Sequence, residues 1–118
     1  MVQIKLKRVY EPEEPTDGYR VLVDRLWPRG MTKENLHYDL WAKDIAPSTA
    51  LRQSYHHLED CPWDIFRVKY IEELEESPAV NDFVDKTKDK KVVTLLYASK
   101  NAVENHALIL QKFLEDKM

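Results

Sequence analysis

Two apolar runs set the terms on which this chain can fold. Residues 19–25 (YRVLVDR) carry Val21, Leu22 and Val23, and residues 92–98 (VVTLLYA) are apolar on both faces apart from Thr94. Short continuous runs of this kind describe strands covered on both sides. Residues 26–91 stand between them, a stretch patterned mostly for helix. Buried strands so widely separated in sequence are expected to pair in parallel through a right-handed crossover. The expectation is an α/β fold: a small three-stranded sheet with a central parallel pair, covered by four or five helices, in a single domain spanning 1–118.

The third strand is the N-terminal one. Val2, Ile4 and Leu6 alternate with Gln3, Lys5 and Lys7, the period of a strand with one wet face. The following EPEEPTDG (11–18) has two prolines, four acids and a glycine, the composition of a mobile loop. Eight residues are short for a helical crossover, so an antiparallel hairpin is the simplest link to the strand at 19–25.

Five helices are expected. Thr32 caps the first, Lys33 to about Tyr38, with Met31 and Leu36 as its hydrophobic staple. Trp41, Ile45 and Pro47 fall in a connecting segment, and Ser48 or Thr49 caps the second, to about His57. Pro62 opens the third, where Trp63, Phe66, Tyr70 and Leu74 recur on one face, and Ser77-Pro78 opens the fourth, with Val80, Phe83 and Val84 inward. The last runs from Ala102 to about Glu115, with Asn101 and Glu104 at capping-box spacing.

Composition removes several functions. The net charge is −3, evenly spread, where a nucleic-acid binder is usually basic. Two glycines, Gly18 and Gly30, are too few for a phosphate loop or a dinucleotide fingerprint. Cys61 is the only cysteine, so there is no internal disulfide and no cysteine-built zinc site, and a reducing, cytoplasmic setting is expected. No stretch has the length of a membrane span. No cofactor or metal is expected; His56, His57, Asp60 and Cys61 lie close in sequence but match no strong ligand spacing.

In open α/β sheets ligands bind beyond the carboxyl ends of parallel strands. Here those ends are Asp24 to Gly30 and Ala98 to Asn101, and the start of the last helix joins them. Arg25, Arg29, Lys43, Arg52 and Lys100 are candidates to hold an anion, since guanidinium forks match phosphate and carboxylate. Trp27 and Trp41 either stack on a flat ligand or belong to the core. Asp24 and His106 are the candidate acid–base pair, with Asn105 adding hydrogen bonds. Asp24 has a structural alternative, fastening the turn through Arg20, Arg29 or backbone N–H groups. By strand alternation, Asp24 and Arg25 should face opposite ways.

GYRVLVDRLWPRG (18–30), WAKDIAPST (41–49) and VTLLYASKNAVENHALIL (93–110) together resemble the YeaO-like family, domain of unknown function 488. The likeness covers nearly the whole chain. It implies a fold and a candidate pocket but no reaction. A distant branch of that family carries Asp-x-Arg after its second strand and Cys-His-Arg at its last helix. The matching positions here look like Asp24, Arg25 and Asn105-His106-Ala107, so the cysteine and the second arginine of that branch are absent. A transcription-regulator label on some members adds a DNA-binding alternative, although the helices around 48–57 and 62–76 lack a basic recognition face. The expected partner is therefore a small anion, a nucleotide or phosphorylated metabolite, with hydrolytic or transferase chemistry if any. A DNA-binding regulator, or an interaction module using loop 11–18, is the alternative.

Overall fold

The computed structural model describes residues 2–56, 62–101 and 105–118. In chain order it has β1 (Gln3–Arg8), β2 (Tyr19–Leu22), β3 (Leu40–Trp41), α1 (Thr49–His56), α2 (Trp63–Glu76), α3 (Pro78–Thr87), β4 (Val92–Tyr97) and α4 (His106–Lys117). Short 3-10 turns lie at Pro15–Asp17 and Lys43–Ile45. The described strands form one sheet in the order β1-β4-β2-β3, parallel throughout.

The α/β class and the parallel pairing of the two apolar runs agree with the sequence reading. The sheet differs in two respects. It has four strands, because residues 40 and 41 pair with Val21 and Leu22. And β1 is parallel to β4, with Leu6 opposite Leu95, so residues 3–22 do not form an antiparallel hairpin. The link between β1 and β2 instead returns across β4. Ten residues of extended chain reach roughly 33 Å, enough to recross a strand of this length without a helix.

The lysines of β1 hold that link. Lys5 Nζ donates to Thr16 O at 3.1 Å, and Lys7 Nζ to Pro12 O, Glu14 Oε1 and Asp17 Oδ1. Their face of the strand, wet by the sequence pattern, is thus the face the 11–18 segment lies on. Asp17 and Arg20 form a buried ion pair there, and Thr94 Oγ1 donates to Asp17 O at 2.6 Å. Thr94, the polar break in an apolar run, is the group that receives the crossover. Gly18, with φ +65°, passes so near Val92 that a Cβ would lie 2.5 Å from its carbonyl oxygen.

The helix expected over 33–38 is a single turn. Its cap forms, with Asn35 N donating to Thr32 Oγ1 and Leu36 N to Thr32 O. The chain then leaves for the sheet, because Arg20 claims the continuation. Its Nε donates to His37 O, its amide donates to Asp39 Oδ2, and its carbonyl accepts from Asp39 N. Met31 and Leu36 pack with Val9, Leu22 and Leu96 beneath this turn, a small core on one sheet face.

All four helices send their buried residues to the other core. There Leu51, Phe66, Tyr70, Leu74, Val80, Phe83, Leu110 and Leu114 meet Val21, Val23, Val93 and Leu95. The boundaries follow local chemistry. Ser48 Oγ accepts from Leu51 N at the start of α1, while Glu73 of α2 binds both the Ser48 amide and its hydroxyl. The last helix is described from His106 to Lys117. Asn105 is its N-cap, with Oδ1 accepting from Leu108 N at 2.9 Å. The Ala102 start and Glu104, the second half of the expected capping box with Asn101, fall on residues 102–104, outside the described residues, as does the stretch 57–61 with His57, Asp60 and Cys61.

Burial would push the Asp17 carboxyl up. The hydrogen bonds from Lys7, the Glu14 amide and Arg20 together outweigh it and hold the group below its ordinary 3.8. A carboxyl depressed in the folded state adds stability above its unfolded pKa, and loses it as pH falls through the folded value. Asp17→Asn should therefore lower unfolding free energy at neutral pH by about 3 kcal/mol. In urea titrations at several pH values, the gap between wild type and variant should be constant above pH 5 or so and narrow below about 4.

Candidate functional site

Parallel pairing places the carboxyl ends of all the described strands at one edge, and a cleft opens there. The cavity measures 480 Å³. Tyr10 follows β1, Asp24 to Arg29 follow β2, and Ala98 and Ser99 follow β4; Arg52 and Tyr55 come from α1, Trp63 and Phe66 from α2, Asn105 and His106 from the start of α4. Two polar clusters more than seventy positions apart are thus joined, as strand direction required.

Asp24 and His106 meet. His106 Nε2 lies 3.1 Å from Asp24 Oδ1 and 2.9 Å from Val23 O. The other carboxylate oxygen, Oδ2, accepts from Ala98 N at 2.9 Å, tying the end of β2 to the end of β4. Asp24 therefore fastens its turn through a backbone N–H, not through Arg20 or Arg29. Its Oδ1 is buried and has no hydrogen-bond partner among the described residues, so it meets His106 as a close contact only. The ring of His106 stands edge-on to Tyr70, with centroids 6.3 Å apart. His106 is the first residue of α4, not one turn inside it.

Asp24 and Arg25 share the cleft. Regular strand geometry ends at Leu22, so alternation has no hold on them, and both line the cleft. Arg25 is occupied: Nε donates to Pro47 O and a terminal nitrogen to Ala46 O, binding the loop after β2 to the approach to α1. Trp27 lines the cleft while packing edge-on against both Tyr38 and Trp41. Its indole N–H donates to Met31 O, and that of Trp41 to Asp24 O. Trp41 itself belongs to the small core, with Lys43 over its ring at 5.0 Å. Neither Trp41 nor Lys43 lines the cleft, and neither does the exposed Lys100.

Arg29 and Arg52 are different. Both line the cleft, and neither guanidinium has an ion pair or hydrogen bond among the described residues. Asn105 lines it too, but both ends of its amide are used, Oδ1 on Leu108 N and Nδ2 on Asn101 O.

Sequence reasoning missed an aromatic wall. Trp63 stacks on Phe66 with centroids 5.2 Å apart, and Tyr55 packs against both rings. Tyr10, opposite in origin, donates its hydroxyl to Arg29 O at 2.8 Å. The signal for Tyr10 was present: it follows β1, and a parallel β1 would have put it at this edge. Among the described residues, no cluster of histidine, cysteine, aspartate and glutamate could hold a metal ion. No helix of the described residues is long and apolar enough to cross a membrane.

A small parallel α/β fold with an arginine-bearing, aromatic cleft at its strand ends is the class these features define. The chain belongs to the YeaO-like DUF488 family. Residues 3–118 match the profile described as the inactive DUF488-N3 subclade. The chain is 45% identical over 113 residues to the uncharacterised protein YeaO of Escherichia coli strain K12, covering 96% of this chain and 97% of that one. It is 39% identical over 115 residues to the uncharacterised protein Rv3073c of Mycobacterium tuberculosis strain H37Rv, and equally to Mb3100c of Mycobacterium bovis, covering 98% of this chain and 96% of each. No solved structure matches the chain.

The two arginines after β2 should behave differently when truncated. Arg25→Ala removes two hydrogen bonds from a charged donor and leaves two carbonyls short, an expected loss of about 2–3 kcal/mol. Arg29→Ala touches no such partner and should stay within about 0.5 kcal/mol of wild type. Equilibrium denaturant unfolding of both variants measures the difference.

Proposed function

We propose that this protein binds a small planar organic anion, a nucleotide or similar phosphorylated metabolite, in the cleft at the carboxyl edge of its sheet. The observation that carries the reading is a local reversal of charge. The described residues lining the cleft include three arginines against one aspartate, in a chain whose net charge is −3. Two of those guanidiniums, Arg29 and Arg52, are uncommitted among the described residues, and bidentate recognition of a phosphate or carboxylate is what such groups do best. The aromatic rings of Tyr10, Tyr55 and Trp63 give a flat ligand faces to lie on. A cavity of 480 Å³ falls within the range of small-molecule sites.

Binding without turnover fits better than hydrolysis or transfer. The subclade description includes the word inactive. The cysteine that the distant family branch carries before its histidine is Asn105 here, and that side chain is spent on capping α4. Asp24 and His106 are then parts of the ligand's seat, with proton transfer as a lesser reading. A single cysteine supports a reducing, cytoplasmic setting. Neither a DNA-binding role nor an interaction role for loop 11–18 has an observation of comparable weight.

The test is thermal stabilisation by a panel of nucleoside monophosphates, with inorganic phosphate as control. At least one nucleotide should raise the melting temperature in a concentration-dependent way. Arg29→Ala and Arg52→Ala should each weaken its affinity by about tenfold or more, the worth of a charged hydrogen bond, with little change in the ligand-free melting temperature. Stabilisation as large in both variants as in wild type, or absent across the panel, would remove this reading. Salt-dependent affinity for duplex DNA would replace it.

A further inference from the structure

The floor of the cleft has little left with which to accept a proton. Asp24 Oδ2 takes the Ala98 amide and Oδ1 is buried from the cavity. Asn105 uses both ends of its amide inside the protein. The Tyr70 hydroxyl, next to the imidazole, donates to Ile45 O at 2.6 Å. His106 remains. The two atoms facing its Nε2, Val23 O at 2.9 Å and Asp24 Oδ1 at 3.1 Å, are a carbonyl and a carboxylate oxygen. Both only accept, so Nε2 must carry the hydrogen, which it gives to Val23 O. The neutral ring then has its lone pair on Nδ1, and Nδ1 has no partner among the described residues.

We propose that Nδ1 of His106 is the hydrogen-bond acceptor of the cleft, and that the ligand carries an O–H or N–H donor alongside its anionic group. The claim rests on the anion-binding reading above and deepens it. Arg29 and Arg52 select the charge, and His106 selects a donor at a fixed place on the remainder of the molecule. A backbone carbonyl fixes the tautomer, so the ring cannot offer Nε2 as acceptor without losing its bond to Val23. The ligand class is a hydroxylated or amino-bearing planar anion, such as a nucleoside monophosphate with its ribose hydroxyls and exocyclic amine.

Two measurements on the full chain test this. The first needs no ligand: ring 15N NMR, followed up in pH until the His106 ring signals no longer change. The His106 signals, identified by their loss in His106→Gln, should show a protonated Nε2 and a bare Nδ1. The opposite tautomer overturns the proposal whatever the cleft binds. The second compares adenosine monophosphate with three analogues, each lacking one donor: 2′-deoxy, 3′-deoxy, and the purine riboside without its amine. In wild type one analogue should bind about tenfold more weakly than the parent, the scale of one hydrogen bond. In His106→Gln, whose amide can still donate to Val23 O but places nothing at Nδ1, that difference should vanish. His106→Phe serves the same comparison if the glutamine variant does not fold. Arg29-dependent binding with no analogue discriminated overturns the acceptor role while leaving the anion reading intact. No binding by any of the four overturns the acceptor role, and the anion reading then stands or falls on the nucleotide panel.

Discussion

Everything in this molecule follows from β4 having parallel neighbours on both sides. A strand paired with β1 along Gln3–Arg8 and with β2 along Tyr19–Leu22 forces every connection to travel back across a face of the sheet. Three helices make one return between β3 and β4, a 17-residue stretch without a helix makes another, and the crossover between β1 and β2 makes do with a 3-10 turn. The faces are unequal as a result. One carries every described helix and the large core. The other is covered by irregular chain, and it is there that polar anchors accumulate: Lys7, Asp17, Arg20, Thr94 and Asp39. Irregular backbone over a buried strand needs partners for its amides and carbonyls, and these side chains supply them.

What could be read in advance was what hydrophobic period controls. The runs at 21–23 and 92–97 declared themselves, and the phase of Phe66, Tyr70 and Leu74, or of Leu110 and Leu114, named the buried sides of helices. Two things escaped. The pair Leu40–Trp41 is too short to show alternation, and its register comes from Arg20 and Asp39 clasping each other's backbone, a contact nineteen positions apart. The direction of β1 was misjudged because eight residues looked too few for a crossover. That segment supplies bonding groups for the lysines of β1, the Thr16 carbonyl for Lys5 and Pro12 O, Glu14 and Asp17 for Lys7.

The candidate site was legible in outline for a related reason. The rule that parallel strands gather their carboxyl ends needs only strand order and direction, so Asp24 and His106 could be brought together before any coordinate. Trp41, Lys43 and Lys100 were carried along by proximity in sequence and turn away. The aromatic wall could not have been foreseen, because Trp63 and Phe66 sit on the same periodic face that builds the core. A ring at the end of a buried stripe serves the interior and the cleft at once, and composition does not separate the two.

The clasp of Arg25 on the carbonyls of Ala46 and Pro47 has one more effect. A guanidinium used as a rivet keeps its charge. It cannot reach out to a visitor, yet its field persists at a fixed point in the wall, independent of side-chain motion and of pH across the physiological span. The positive charge in the wall of the cleft is thus anchored by the same bonds that seat the first helix.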